Sequence, residues 1–89
     1  MTEAAIIEVY GRVQGVGFRF FTERKARELG ISGFVKNRPD GSVYIEAEGE
    51  PQAMEIFIEW CKAGPSWAKV QNVKVAEMPP LNRMSFQIK

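Results

Sequence analysis

Histidine is missing from this 89-residue chain, and cysteine occurs once. Without histidine there is no Ser-His or Cys-His nucleophile pair, no histidine-bound zinc and no phosphohistidine chemistry. A single cysteine, Cys61, permits neither an intrachain disulfide nor a cysteine metal cluster. Aspartate is nearly as scarce. Asp40 stands alone, and a lone carboxylate at a hairpin tip is a turn former rather than a magnesium ligand. No metal site and no cofactor are expected. No apolar run approaches the ~20 residues of a membrane span. The opening Met1-Thr2-Glu3 has no basic-then-apolar leader, so a soluble cytoplasmic protein without membrane contact is expected. Charge of one sign is also lacking: 12 Lys+Arg against 11 Asp+Glu leave a net charge of +1. That argues against a broad nucleic-acid surface but leaves room for a small local positive site.

What remains suits one domain over residues 1–89. A chain of this size buries only roughly 60–65% of its unfolded surface, enough for one modest core. The 45% hydrophobic content points to a folded globule rather than disorder. Ala4 to Tyr10 alternates, with Ile7 and Val9 on one face, and predicts a first strand. Phe18, Phe21, Thr22, Lys25, Ala26 and Leu29 recur at helical spacing. They predict a helix from about Phe20 to Leu29, stopped by Gly30. Lys25 would sit at the edge of its apolar face. Gly33 to Asn37 and Ser42 to Glu48 predict a hairpin around Arg38-Pro39-Asp40-Gly41.

Pro51 opens a second helix whose buried stripe is Met54, Phe57, Ile58 and Cys61, with Trp60 at its margin. Gly64-Pro65 ends it. Val70, Val73 and Val75 mark a fourth strand, and the phase slip after Val70 predicts a bulge. Ser85 to Lys89 predicts a last strand with Phe86 and Ile88 facing inward. The order β-α-β-β-α-β plus a short extra C-terminal strand predicts an α+β, ferredoxin-like fold. Its antiparallel sheet carries both helices on one face.

The segment most suggestive of function is Gly11-Arg12-Val13-Gln14-Gly15-Val16-Gly17-Phe18-Arg19. Its three glycines allow tight turns with exposed amides. From Val9 to Thr22 there is no acidic residue. Amides and unpaired guanidinium groups without a local carboxylate suit an anion, foremost a phosphate. The segment is neither a P-loop, since no Gly-Lys-Ser/Thr follows, nor a dinucleotide fingerprint, since Phe20 holds the third glycine's place. The main-chain amides of Gln14, Gly15, Val16, Gly17, Phe18 and Arg19 are positioned to converge at a helix N-terminus. A cation there is disfavoured by about 0.3–1 kcal/mol. Arg19 therefore makes sense with an anion held beside it, although spacing alone fits a solvated surface residue equally. Arg12 reads as a surface charge.

Asn37, directly before the hairpin turn, has two readings as well. It is a turn residue bonding its own backbone, or its carboxamide accepts one hydrogen of a water and aims the lone pair. A site with one arginine, a nest of amides, one asparagine and no strong acid or base suits a substrate with a good leaving group. In an acyl phosphate that group is a carboxylate, whose conjugate acid has a pKa of about 4.

Cys61 reads as core packing. Glu46, Glu48 and Glu50 read as facing water. Tyr10 and Tyr44 share the open face of the sheet. That arrangement loosely echoes RNA-recognition sheets, but the Gly17-Phe18-Arg19-Phe20 motif precedes a helix rather than lying on a strand. Trp67 is either a core plug or an exposed contact.

These residues resemble the acylphosphatase family. Gly11 to Arg19 looks like its first signature. Gly33-Phe34-Val35-Lys36-Asn37 through Asp40-Gly41-Ser42-Val43 looks like its second, and the likeness spans nearly the whole chain. The resemblance implies hydrolysis of acyl phosphates to a carboxylate and inorganic phosphate, without metal or cofactor. It implies that Arg19 grips the phosphate, that amides of Gln14 to Arg19 cradle it, and that Asn37 orients the attacking water. Similar sequences also form N-terminal domains of large hydrogenase-maturation carbamoyltransferases. With no following domain in this sequence, a stand-alone monomeric enzyme is expected. The competing reading is a non-catalytic module that holds a phosphorylated ligand or RNA.

Overall fold

Alternation along the first strand sorts its side chains between two environments. In β1 (Glu3–Arg12) Ala5, Ile7 and Val9 are buried, while Glu8 and Tyr10 point to the other face. The computed structural model describes residues 1–89. The remaining elements are α1 (Phe18–Leu29), β2 (Ser32–Asn37), β3 (Val43–Gly49), α2 (Pro51–Ala63), β4 (Lys69–Met78) and β5 (Phe86–Ile88). The strands form one sheet in the order β4-β1-β3-β2-β5. The expected β-α-β-β-α-β order with an extra strand is thus observed. No helix is long and apolar enough to cross a membrane.

One face of the sheet and the two helices share a single core. Ile7, Val9, Val35, Val43 and Ile45 meet Phe18, Ala26, Met54, Phe57 and Cys61 there. Burying a side chain such as Phe57 contributes on the order of 1.5–3 kcal/mol. Cys61 lies in this core as expected, and burial pushes its thiol pKa far up. In α2, Met54, Phe57 and Cys61 are buried, while Ile58 and Trp60 are partly covered. Lys25 sits half-buried and bonds Glu28 at 3.4 Å.

Helix α1 starts at Phe18, two residues earlier than the spacing predicts. The glycine loop runs directly into its first turn, which places Arg19 second in the helix. At the other end Gly30 closes α1 in a Schellman arrangement: Ile31 N–H donates to the Ala26 carbonyl at 2.8 Å, and Gly30 N–H to that of Arg27 at 3.3 Å. The predicted bulge is present. Tyr10 pairs with Asn72 and Gly11 with Val70, so Gln71 is the extra residue.

Three expectations need correction. The sheet is mixed, because β5 pairs parallel with β2 while the other pairs are antiparallel. The chain leaves β4 at one edge and crosses to the opposite edge, which sets that direction. Ile88 shares a face with Phe86, yet Phe86 is buried and Ile88 is 40% exposed. It lies opposite Val35 at the end of the edge strand, where helix cover gives way to a cleft.

Glu48 does not face water; it is 3% exposed. Its carboxylate accepts the main-chain N–H groups of Leu81, Asn82 and Arg83, in the strap that joins β4 to β5. Glu46 is also largely covered, bonded by Arg83 and by the Tyr44 hydroxyl. Among the three glutamates, Glu50 alone is exposed as expected.

Candidate active site

Residues 13–17 connect β1 to α1. Val13, at 1% exposure, anchors the connection in the core. Gly15 (φ 74°) and Gly17 (φ 79°) both take left-handed backbone, which costs an L side chain roughly 1–2 kcal/mol. Left-handed residues at alternate positions let neighbouring N–H groups gather into a concave anion nest. None of the main-chain N–H groups from Gln14 to Phe20 donates to another protein group. The first turn of α1 also lacks a side-chain cap and an acidic residue. A helix N-terminus with uncommitted donors and no local acid attracts an anion.

The Gln14 side chain does separate work that its sequence context does not announce. Its amide nitrogen donates to the carbonyls of Arg38 and Ser42, each at 2.8 Å. The loop is thereby tied to the β2–β3 hairpin that carries Asn37. The hairpin is braced in turn by Arg38, which bonds Glu8 at 2.7 Å, Ser42 Oγ at 2.8 Å and Tyr10 at 3.2 Å. The Glu8 hydrogen bond raises the Arg38 pKa further, against a smaller opposing effect of burial. Asp40 makes the turn, as expected. The Ser42 hydroxyl and N–H donate to it at 2.5 and 2.9 Å, and these bonds hold its carboxyl below the ordinary range.

Arg19 and Asn37 border one open cleft of about 220 Å³, together with Val13, Gly15, Gly17, Phe18, Phe20 and Ile88. Arg19 is the single charged residue in that lining. Its Nη1 donates to the main-chain oxygen of Lys89 at 3.1 Å, and no Asp or Glu pairs with it. Asn37 is exposed at the end of β2, in register with Val43. Its carboxamide makes no hydrogen bond within the chain, and the turn-forming bonds come from Asp40 instead. Arg12 is exposed and outside the cleft lining.

Tyr10 and Tyr44 do share the open face, but neither ring is bare. Arg38 and Lys74 lie over Tyr10, and Lys36 and Arg38 over Tyr44. Phe34 beside them is covered by Arg83 and Lys89. Trp67 is an exposed contact: its indole N–H donates to the Val16 carbonyl at 2.9 Å.

The acylphosphatase family model matches residues 5–88 of the chain. The chain belongs to the acylphosphatase family. The acylphosphatase of Archaeoglobus fulgidus is 51% identical over 84 residues, covering 92% of this chain and 94% of the relative. The solved acylphosphatase of Coxiella burnetii superposes with a TM-score of 0.95 at 36% identity, covering 99% of this chain and 93% of that one. Full-length HypF, solved in a phosphate- and nucleotide-bound form, gives a TM-score of 0.89 at 33% identity; the match covers 100% of this chain and 12% of HypF. The family and fold expected from the sequence are borne out, and so is the enzyme class: acylphosphatases act on small acyl phosphates and release phosphate.

Proposed function

We propose that the cleft at the start of α1 is where this acylphosphatase works. Arg19 and the amides of Gln14, Gly15, Val16, Gly17, Phe18 and Arg19 hold the phosphate group of the substrate. Asn37 orients the water. One observation carries the reading: uncommitted donors, an arginine that no Asp or Glu pairs with and an unbonded carboxamide meet at one cleft that no acidic side chain lines.

The chemistry then needs little beyond positioning. Asn37 accepts one hydrogen of the water and aims its lone pair at phosphorus. The water oxygen forms a new P–O bond while the bond from phosphorus to the acyl oxygen breaks. The electron pair leaves with the carboxylate, which is stable without a proton because its conjugate acid has a pKa of about 4. The proton of the water passes to a phosphate oxygen, and inorganic phosphate is the second product. Arg19 and the amides offset the charge on the phosphoryl oxygens throughout. In this reading the hydrolysis relies on these donors, and the chelator assay below tests whether a metal ion is needed.

Phe20 and Ile88, 55% and 40% exposed, form the exposed apolar part of the cleft and would meet the acyl arm. Every residue of this site comes from one chain and one sheet-and-helix unit, so residues 1–89 act as one domain and a monomer suffices. A base-stacking role for the open face loses support because its rings are already covered by cations.

Phosphate release from acetyl and benzoyl phosphate, with and without a chelator, tests the proposal. Activity is expected to survive the chelator. Arg19→Gln is expected to lower kcat/KM by about 10²–10³ and to abolish inhibition by phosphate. Asn37→Ala is expected to lower kcat while phosphate still inhibits. Full activity after either substitution would remove that residue from the site.

A further inference from the structure

The tryptophan of the α2–β4 connection makes a contact that its surroundings do not require. Trp67 is 65% exposed and takes no part in the core. Its loop is nevertheless well defined. Gly64 N–H donates to the Trp60 carbonyl at 2.7 Å, and Ala68 N–H donates to that of Pro65 at 3.0 Å. The turn so formed sits beside the beginning of α1, because Gly64 packs near the Phe18 ring. From there the indole Nε1 reaches across 51 positions of sequence to the Val16 carbonyl.

The direction of that bond matters for the loop. The Val16 carbonyl and the Gly17 N–H belong to one trans peptide unit, so they point opposite ways. Gly15 and Gly17 line the cleft, whereas Val16 and Trp67 do not. An indole that holds the Val16 carbonyl on the outer side of the loop holds the Gly17 N–H on the cleft side. Val16 packs against the core on one side of this peptide, and the Gly17 carbonyl accepts from Phe21 N–H on the other, while the indole is the one donor to the peptide's own oxygen.

We infer that Trp67 is a positioning residue for the acylphosphatase reaction: its indole N–H latches the back of the glycine loop and keeps the Gly17 amide aimed at the phosphate. The inference rests on the proposed site. Trp67 touches neither substrate nor water. It acts through the orientation of one peptide unit, and anion binding on the inner side strengthens the latch by polarising that same unit.

Trp67→Phe keeps the ring and removes the donor. The expected result is a three- to tenfold rise in both the inhibition constant of inorganic phosphate and KM for benzoyl phosphate, the range for one lost neutral hydrogen bond. The melting temperature should stay within about 3 °C of the wild type, because the side chain is exposed. The chain has two tryptophans, so ¹H–¹⁵N spectra offer two indole resonances to follow. Phosphate is expected to move the Trp67 indole signal and the Gly17 amide together. In Trp67→Phe the Gly17 amide should shift even without phosphate. Unchanged phosphate inhibition in Trp67→Phe, or a Trp67 indole signal indifferent to saturating phosphate, would overturn the latch. Arg19→Gln run in parallel separates the two ideas. If it loses phosphate inhibition while Trp67→Phe keeps it, the latch alone fails; if neither loses it, the site itself is misplaced.

Discussion

Replacing Glu48 with alanine removes the acceptor of three main-chain donors at once. One carboxylate oxygen takes the N–H of Leu81 at 2.7 Å and of Asn82 at 3.2 Å, and the other takes that of Arg83 at 2.6 Å. A hydrogen bond to a charged group contributes roughly 1.5–3 kcal/mol, and a stranded buried donor costs about 1–3 kcal/mol. The three effects do not simply add. Leu81 and Asn82 are exposed, so their N–H groups can turn to water, whereas Arg83 is half-buried. We therefore expect Glu48→Ala to destabilise the fold by about 2–4 kcal/mol. For a domain of this size each kcal/mol shifts Tm by roughly 4–8 °C, which gives a fall of about 8–32 °C. Glu48→Gln keeps one acceptor oxygen and should lose about half as much. Thermal and urea unfolding followed by circular dichroism measure both. A Tm within about 3 °C of wild type for Glu48→Ala would refute the view that this carboxylate holds the strap.

The same group carries a signed pH dependence. Burial pushes the Glu48 carboxyl up, but the donors from Arg83, Leu81 and Asn82, with the nearby Arg83 charge, outweigh burial and hold it below the ordinary range. A depressed folded-state pKa means that the stabilisation is complete above the unfolded-state value of about 4.3 and is lost as pH falls through the folded value. The Tm gap between wild type and Glu48→Gln should stay level from about pH 8 to 6 and shrink below about pH 4. A gap that widens in acid would reverse the sign and defeat the reasoning. Because the strap leads into β5, which carries Ile88 to the cleft and precedes the Lys89 oxygen bonded by Arg19, phosphate affinity should weaken alongside stability.

Two further outcomes test the cleft from its backbone and from its apolar side. Gly17→Ala places a side chain at φ 79° and should cost about 1–2 kcal/mol. Gly30→Ala imposes the same kind of strain at φ 70° far from the cleft. Both should lower Tm, but Gly17→Ala alone should weaken phosphate inhibition; equal inhibition in the two variants would mean that the loop conformation does not matter to binding. Phe20→Ser removes half-exposed apolar surface from the cleft. It should reduce kcat/KM for benzoyl phosphate about three- to tenfold, with a smaller effect on acetyl phosphate. An equal loss on both substrates would place the acyl arm elsewhere.

Much of this molecule is readable locally because its signals are short-range. The Asp40-Gly41 turn, the Met54-Phe57-Cys61 stripe and the slipped phase after Val70 each depend on residues within one turn or strand. The acid-free glycine stretch is equally local. What escaped has its cause far away in sequence. Alternation puts Glu48 on the outer face of β3, which predicts exposure; its cover comes from the strap at positions 81–83. The Gln14 side chain crosses to Arg38 and Ser42, and Trp67 to Val16, with no spacing rule to announce either bond. Ile88 was expected inside because it alternates with Phe86. Periodicity reports the face of a strand but not where the covering layer ends. The parallel direction of β5 follows from the strap's crossing, which no property of Phe86-Gln87-Ile88 encodes.

Arg19 is where local and functional demands conflict most plainly. A cation in the first turn of a helix opposes the macrodipole, at a penalty of about 0.3–1 kcal/mol. A capping acid would offset that penalty, yet the first turn of α1 contains none. The Lys89 oxygen eases the conflict by accepting from the guanidinium at 3.1 Å. That partner restrains the side chain through one nitrogen and leaves its other donors available. An Asp or Glu side chain held against the guanidinium would compete directly with phosphate for it. The absence of acid from Val9 to Thr22 therefore serves the same end as the glycines. It keeps both the amides and the arginine short of an anion, so that in this reading the phosphate of the substrate completes an electrostatic arrangement the fold leaves open.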